Sequence, residues 1–234
     1  MQKFVVADTE TACLKPPRPG AGVCDIALAW IDKDANVLKQ VESLIDPECA
    51  ISPSAMGVHH ITEQMVWDKP TLLEFAQAHG DPLMRSEKGL PGHEVVLAGH
   101  NIRFDQAFLN PVLQAEHRLL CTLKLARLTW PTELEDHKLQ TLRYTFGLDA
   151  GTAHRAMGDV ITCINLLRLL MDVHKTDLYG LMEMSKRPLS PETKMSFGKH
   201  KGVQLKALTR SYVSWLLDPD RAIDPDLRDA LIAL

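Results

Sequence analysis

The sequence predicts an α/β fold built on five strands and followed by a small C-terminal module. Three observations carry this. Residues 2–46 read as a three-strand antiparallel meander. Two later apolar runs, EVVLAGH (94–100) and LLC (119–121), each lead into helix-like sequence. A proline-bearing stretch, SKRPLSPET (185–193), then sets residues 194–234 apart from everything before it.

Taken in order, KFVVADTE is an apolar run of strand length ending in acids. VCDIALAWID alternates, breaks at the turn-like DKDAN, and VLKQVESLID alternates again. SAMGVHHITEQMV reads as a short helix and loop, and TLLEFAQAHG as a helix ended by Gly80. Residues 81–93 carry two prolines and two glycines and read as a long surface loop. FDQAFLNPVLQAEHR is expected to be a helix, with Pro111 marking a kink or a late restart. LLCTLKLARL reads as a strand running into a helix, and HKLQTLRYTFG as an amphipathic helix closed by Gly147. DVITCINLLRLLMDVH is a further helix, with Ile161, Ile164, Leu167 and Leu170 on its apolar face. These elements divide the chain into a main domain (1–184), a linker (185–193) and a module (194–234) too small to hold much of a core alone.

The 234 residues are 45% hydrophobic and 24% charged, ordinary values for a globular chain. No apolar run reaches the ~18 residues that span a bilayer, so no membrane partner is expected. The five cysteines are scattered and form no CxxC pair, as reduced thiols of a cytoplasmic protein would. The net charge of −4 conceals an asymmetry. Residues 185–210 hold Lys186, Arg187, Lys194, Lys199, Lys201, Lys206 and Arg210 against Glu192 alone. A basic segment beside an acidic body suits a polyanion, although a solvated lysine-rich surface has the same composition.

Asp8 and Glu10 stand two apart on a strand, so both project to one face. Two carboxylates about 4 Å apart repel by roughly 4 kcal/mol at an effective dielectric of 20. A cation must neutralise them or one must take a proton. Asp105 opens a helix just beyond a strand, where open sheets place their ligands. Asp159 lies near the start of the long helix, and His154 sits five residues earlier in GTAHRAMG, off the helix. A histidine there can take a proton near neutral pH. Each residue alone has a bland reading as a strand-end acid, a helix-opening acid or a loop histidine. Together they read as a carboxylate cage for two divalent cations with a general base beside it.

The order DTET, HNIRFD, HRAMGD resembles the DEDDh branch of the 3′–5′ exonuclease superfamily over residues 3–172. VHHIT is similar to that family's VHGIT, and HKLQTLRYTFGL to the segment leading into its third motif. The resemblance implies a ribonuclease H-like sheet with helices on both faces. It implies that Asp8, Glu10, Asp105 and Asp159 hold two Mg²⁺ or Mn²⁺ ions and that His154 is the general base. It further implies that Thr9 and Thr11 border the terminal nucleotide, that Leu14 wedges against its base, that His59 approaches the scissile end, and that Asn101 and Phe104 line the pocket. DTETACL replaces the family's DTETTGL, the insert KPPRPGAG follows Leu14, and Asp25 stands where relatives often have Glu.

The tail MSFGKHKGVQLKAL is similar to the C-terminal module of exodeoxyribonuclease X-like proteins. Lys199 and Lys201, in its glycine-bounded turn, are expected to grip phosphates. Tyr212 and Trp215 are open to two readings, base stacking or the module's own core. The activity implied is metal-dependent removal of nucleoside 5′-monophosphates from 3′ ends of DNA, single-stranded or duplex, in repair or DNA turnover. The alternatives are an exoribonuclease of the RNase T or oligoribonuclease kind, acting on RNA, and a proofreading subunit with a polymerase partner. Replication or repair proteins are the expected protein partners.

Overall fold

The computed structural model describes residues 3–79, 95–113, 117–148, 154–221 and 223–234. Strands β1 (Lys3–Thr11), β2 (Val23–Ile31) and β3 (Val37–Leu44) form the expected meander. With β4 (Val95–Gly99) and β5 (Arg118–Cys121) they make one mixed sheet in the order β3-β2-β1-β4-β5. The pairs β1–β2 and β2–β3 are antiparallel, and β1–β4 and β4–β5 are parallel. Helices α1 (Pro53–His59), α2 (Glu63–Val66) and α3 (Leu72–His79) lie between β3 and β4, and α4 (Arg103–Leu109) joins β4 to β5. After β5 come α5 (Thr122–Thr129), α6 (Leu139–Phe146), α7 (Ala156–His174) and α8 (Leu178–Ser185), and then α9 (Arg210–Leu216) and α10 (Pro225–Ile232) in the C-terminal module.

Strand alternation sends the side chains of β1 into two separate cores. Phe4 and Val6 meet α5, α7 and α8 on one face, while Val5 and Ala7 meet α3 and α4 on the other. Asp8 and Glu10 continue the Phe4–Val6 parity and therefore point to the α7 side. Helix α7 is fixed there by Val160, Ile164, Leu166, Leu167 and Leu170, all buried. Full burial of each such side chain is worth roughly 1.5–3 kcal/mol. The buried face begins at Ala156, and Ile161 is half-buried.

Three expectations need correction or fall outside the description. The helix foreseen over 104–118 stops at Leu109, because Pro111 has no N–H to continue the ladder and its ring clashes with the preceding turn. Residues 178–185, read without an element, form α8: the Asp177 side chain accepts from Gly180 N, and Leu178, Leu181 and Met182 are buried. Gly80 and the loop at 81–93 lie outside the described residues. Gly147 does close α6, at φ 60° and ψ 37°, where a side chain would cost conformational energy.

The C-terminal module has a small core of Leu189, Met195, Leu205, Tyr212, Leu216 and Leu231, against which Leu128 of α5 packs. Leu189 comes from the proline-bearing stretch. Two ion pairs tie α5 to the start of α10, Lys124 Nζ–Asp226 Oδ1 at 2.8 Å and Arg127 Nη1–Asp224 Oδ2 at 3.1 Å. Lys194 Nζ also donates to the Thr132 carbonyl at 2.6 Å.

Candidate active site

The carboxylates converge where β1, β4 and α7 meet. Asp8 comes from the end of β1 and is half-buried. Burial, then Asp105, Asp159, Glu10 and Asp25, hold its carboxyl well above the usual range. Glu10 follows on the same face. Burial and then Asp159, Asp25 and Asp105 push it up to about 8, against an opposing pull from Arg155. Asp105 is buried in the first turn of α4. Burial raises its carboxyl, and Thr9 opposes this from two donors, with Thr9 N at 2.9 Å and Thr9 Oγ1 at 2.8 Å from Asp105 Oδ1. Asp159, in the first turn of α7, is raised by burial and lowered by His154 and Gln140. Burial is the first cause in every case, and mutual repulsion adds to it for Asp8, Glu10 and Asp105.

His154 is exposed and stands just before α7 in a left-handed conformation, φ 57°. That turn brings it over the acids: one ligand atom each from Glu10, His154 and Asp159 lies within 4.8 Å of the others. A register shift in the β1–β2 ladder after Glu10 ends regular pairing beside the same cluster, as bulges do where a strand must re-aim a side chain.

The residues expected to surround a nucleotide are placed as follows. Thr9 and Thr11 are buried, and the Thr11 hydroxyl donates to the Cys13 carbonyl at 2.8 Å. Leu14 is 86% exposed. The insert after it is tied back, with Ala12 N on Gly22 O, Gly22 N on Pro47 O, and Arg18 paired with Glu48 at 3.0 Å. Leu14 thus stands exposed in the segment that follows β1. Asn101 is exposed and left-handed, φ 64°, in the turn before α4, and Phe104 is half-buried against Phe108. His59 is buried. Its Nδ1 accepts from Ile61 N at 3.0 Å, and its Nε2 turns toward Thr11 without a partner in good hydrogen-bond geometry among the described residues. Lys199 and Lys201 are exposed in the C-terminal module, away from the acids. Lys201 edges a cleft between module and main domain that reaches back to Asn101.

Three residues of the site were missed by sequence reasoning. Gln140 of α6 donates to Asp159 Oδ1 at 2.6 Å and orients that carboxylate. Arg155 donates from Nε to Asp25 Oδ2 at 2.8 Å. His100 braces the turn after β4. Its Nε2 donates to the His137 carbonyl at 2.9 Å while Nδ1 faces the Thr122 hydroxyl at 3.0 Å, and burial lowers it to about 4, so it stays neutral. The family-like segment around HKLQTL pointed near Gln140, and the Asp25 departure pointed near Arg155. Nothing local marked His100 as a brace.

The chain is similar to known exonucleases. The family model described as Exonuclease (RNase T) matches residues 5–167. Exodeoxyribonuclease 10 of Escherichia coli K12 is 30% identical over 233 residues, spanning 95% of this chain and 94% of that protein. The DNA polymerase III subunit epsilon of Treponema pallidum is 30% identical over 178 residues, spanning 73% of this chain and 77% of that one. The solved structure of exonuclease X in complex with 5′ overhanging duplex DNA superposes with a TM-score of 0.59 at 28% identity, covering 78% of this chain and 99% of that one.

Proposed function

As a member of the RNase T exonuclease family, the chain is a 3′–5′ exodeoxyribonuclease, and we propose that Asp8, Glu10, Asp105, Asp159 and His154 carry its chemistry. The observation behind this is the convergence of those groups. Neighbouring acids press one another's carboxyls upward, and a histidine is poised above two of them. The donor set is all hard oxygen with one imidazole, which fits two Mg²⁺ or Mn²⁺ ions held by the four acids. When bound, such ions supply positive charge for the scissile phosphate and for the charge that develops on its oxygens.

The protein's own residues do the rest. His154 accepts the proton of the attacking water as its oxygen bonds to the terminal phosphorus. The bond from phosphorus to the 3′-oxygen of the penultimate nucleotide breaks. That oxygen takes a proton from solvent, leaving a nucleoside 5′-monophosphate and a strand one residue shorter. Gln140 and Thr9 fix Asp159 and Asp105 in place. Leu14, exposed in the segment after β1, stacks against the last base, and Asn101 and Phe104 border the sugar side. DNA is the substrate this reading favours, through the likeness to Exodeoxyribonuclease 10 along nearly the whole chain.

The test is degradation of 3′-end-labelled single-stranded DNA, duplex DNA and RNA of one sequence, with Mg²⁺ or Mn²⁺ and with excess EDTA. Release of 5′-mononucleotides from DNA, abolished by EDTA and by Asp8→Asn, is expected. Full activity in EDTA would refute the metal-based site, and RNA degraded faster than DNA would refute the substrate.

A further inference from the structure

The turn FGKHKG bounds a second concavity, whose lining comes from the C-terminal module and includes none of the site's acids. This groove, about 540 Å³, is lined by Phe197, Lys199, Thr209, Ser211, Tyr212 and Trp215. Phe197 is 40% exposed and Trp215 47% exposed, in a module too small to spare apolar area. Tyr212, only 8% exposed, forms the floor and joins the groove to the module core. Trp215 lies nearly parallel to it, 17° between planes and 5.3 Å between centroids. The rings are dressed with cations: Lys199 Nζ sits 5.3 Å from the Tyr212 centroid and the Arg221 guanidinium 3.6 Å from that of Trp215. Gly198 makes the close packing possible. Its φ is +69°, and a Cβ there would stand 3.3 Å from the Tyr212 hydroxyl.

Among the described residues, no carboxylate lines the groove. Its Phe197, Lys199 and Thr209 belong to the 185–210 segment, whose seven basic residues stand against one acid, and Ser211, Tyr212 and Trp215 follow just beyond it. Rigid, half-exposed aromatic rings, cations on their faces and hydroxyls at the rim are what an unpaired base and its phosphate require. Protein interfaces share the aromatic rings and the arginine but are depleted in lysine, and here Lys199 sits over the Tyr212 ring. On its other side the same turn, through Lys201, edges the cleft that runs to Asn101. We infer that the Phe197–Trp215 groove is a second subsite for single-stranded DNA, holding a base of the strand upstream of the 3′ end that occupies the acidic site. The inference rests on the nuclease reading for its substrate, but the two fail separately.

The experiment uses the full chain and two readouts. Binding of a fluorescent single-stranded oligothymidylate of about fifteen nucleotides is followed by anisotropy in Ca²⁺ at moderate, fixed salt. Hydrolysis of thymidine 5′-monophosphate p-nitrophenyl ester, too short to reach the groove, reports the acidic site alone. Phe197→Ala and Trp215→Phe, the second keeping a ring for the module core, are each expected to weaken oligonucleotide binding, Phe197→Ala by about tenfold, while ester hydrolysis stays within twofold of the parent. Trp215 fluorescence, identified by its loss in Trp215→Phe, is expected to be quenched on binding. Unchanged affinity in Phe197→Ala, together with an unquenched Trp215, overturns the inference and is also what a groove made for a polypeptide would give. Absence of ester hydrolysis in the parent protein would refute the nuclease reading and leave the binding result to stand or fall by itself.

Discussion

Arg155 Nε donates to Asp25 Oδ2 at 2.8 Å, so the residue that follows His154 is tied to β2 directly opposite Glu10. Asp25 is 2% exposed, and Ala156 N also approaches its Oδ2, at 3.4 Å. One ion pair thereby sets the left-handed turn that carries His154 and relieves part of the repulsion between two acids facing each other across a strand pair. Arg155→Ala is expected to lower kcat more than tenfold on a nucleotide ester with KM nearly unchanged, through a misplaced His154. It should also destabilise the fold, since it strands a buried carboxylate. Lys at this position should rescue stability more than kcat, because it restores the charge without the guanidinium geometry. A kcat within threefold of the parent would show that other contacts place the histidine.

His154→Ala removes the proton acceptor and leaves the four carboxylates in place. Turnover should fall by ~10²–10⁴, the usual worth of general-base help, with oligonucleotide affinity in Ca²⁺ preserved. A loss under threefold would mean that the water is activated by another group.

The acids make metal-free stability fall with pH. Glu10 has a folded value of about 8 against 4.5 in the unfolded chain, so the native state keeps a proton that the unfolded chain releases first. Its stability is fully present below about 4.5 and is lost as pH rises through about 8. Asp8 and Asp105, also raised, act with the same sign. In EDTA the melting temperature is expected to drop between pH 5.5 and 8, and Mg²⁺ or Mn²⁺ should restore more of it at pH 8 than at pH 6, because bound cations need ionised ligands. A metal-induced shift that shrinks as pH rises would contradict the shared site.

His60 shows how far the sequence could be read and where reading stopped. VHHIT was recognisable because of the positions around it. The structure shows what the substituted position demands: His60 caps α1 at φ 59° and ψ 19°, a conformation glycine adopts freely. His60→Gly should therefore raise stability by up to about 1 kcal/mol in denaturant titration, and a loss would mean that the imidazole makes a compensating contact. The same logic covers the rest of the site. Asp8, Glu10, Asp105, Asp159 and His154 were legible because strand parity and motif spacing fix them locally. Gln140, Arg155 and His100 act across 19, 130 and 37 residues of chain to Asp159, Asp25 and His137, and such pairings have no local period to betray them. In the fold, strand alternation revealed the meander, whereas α8 was missed because its apolar face is short and depends on a core supplied by other elements.

The joint between main domain and module gives a last prediction. Lys124 and Asp226 meet at 2.8 Å with side chains only 14% and 13% exposed, and Arg127 with Asp224 repeats the contact beside them. Asp224 also caps α10, its Oδ1 accepting from Asp226 N at 2.8 Å. Removing Asp226 therefore leaves Lys124 desolvated without a partner, which typically costs about 3 kcal/mol or more in a dry site and less where water can enter. Because Leu128 of α5 sits in the module core, the cost should fall on docking before it reaches the sheet. Asp226→Ala is expected to make residues 186–234 sensitive to limited proteolysis, while nucleotide ester hydrolysis persists. Lys124→Met with Asp226→Leu, which replaces the pair by apolar contact, should restore resistance. If the single variant resists protease as the parent does, the module is held by its apolar seam alone, and the ion pairs serve only to orient it.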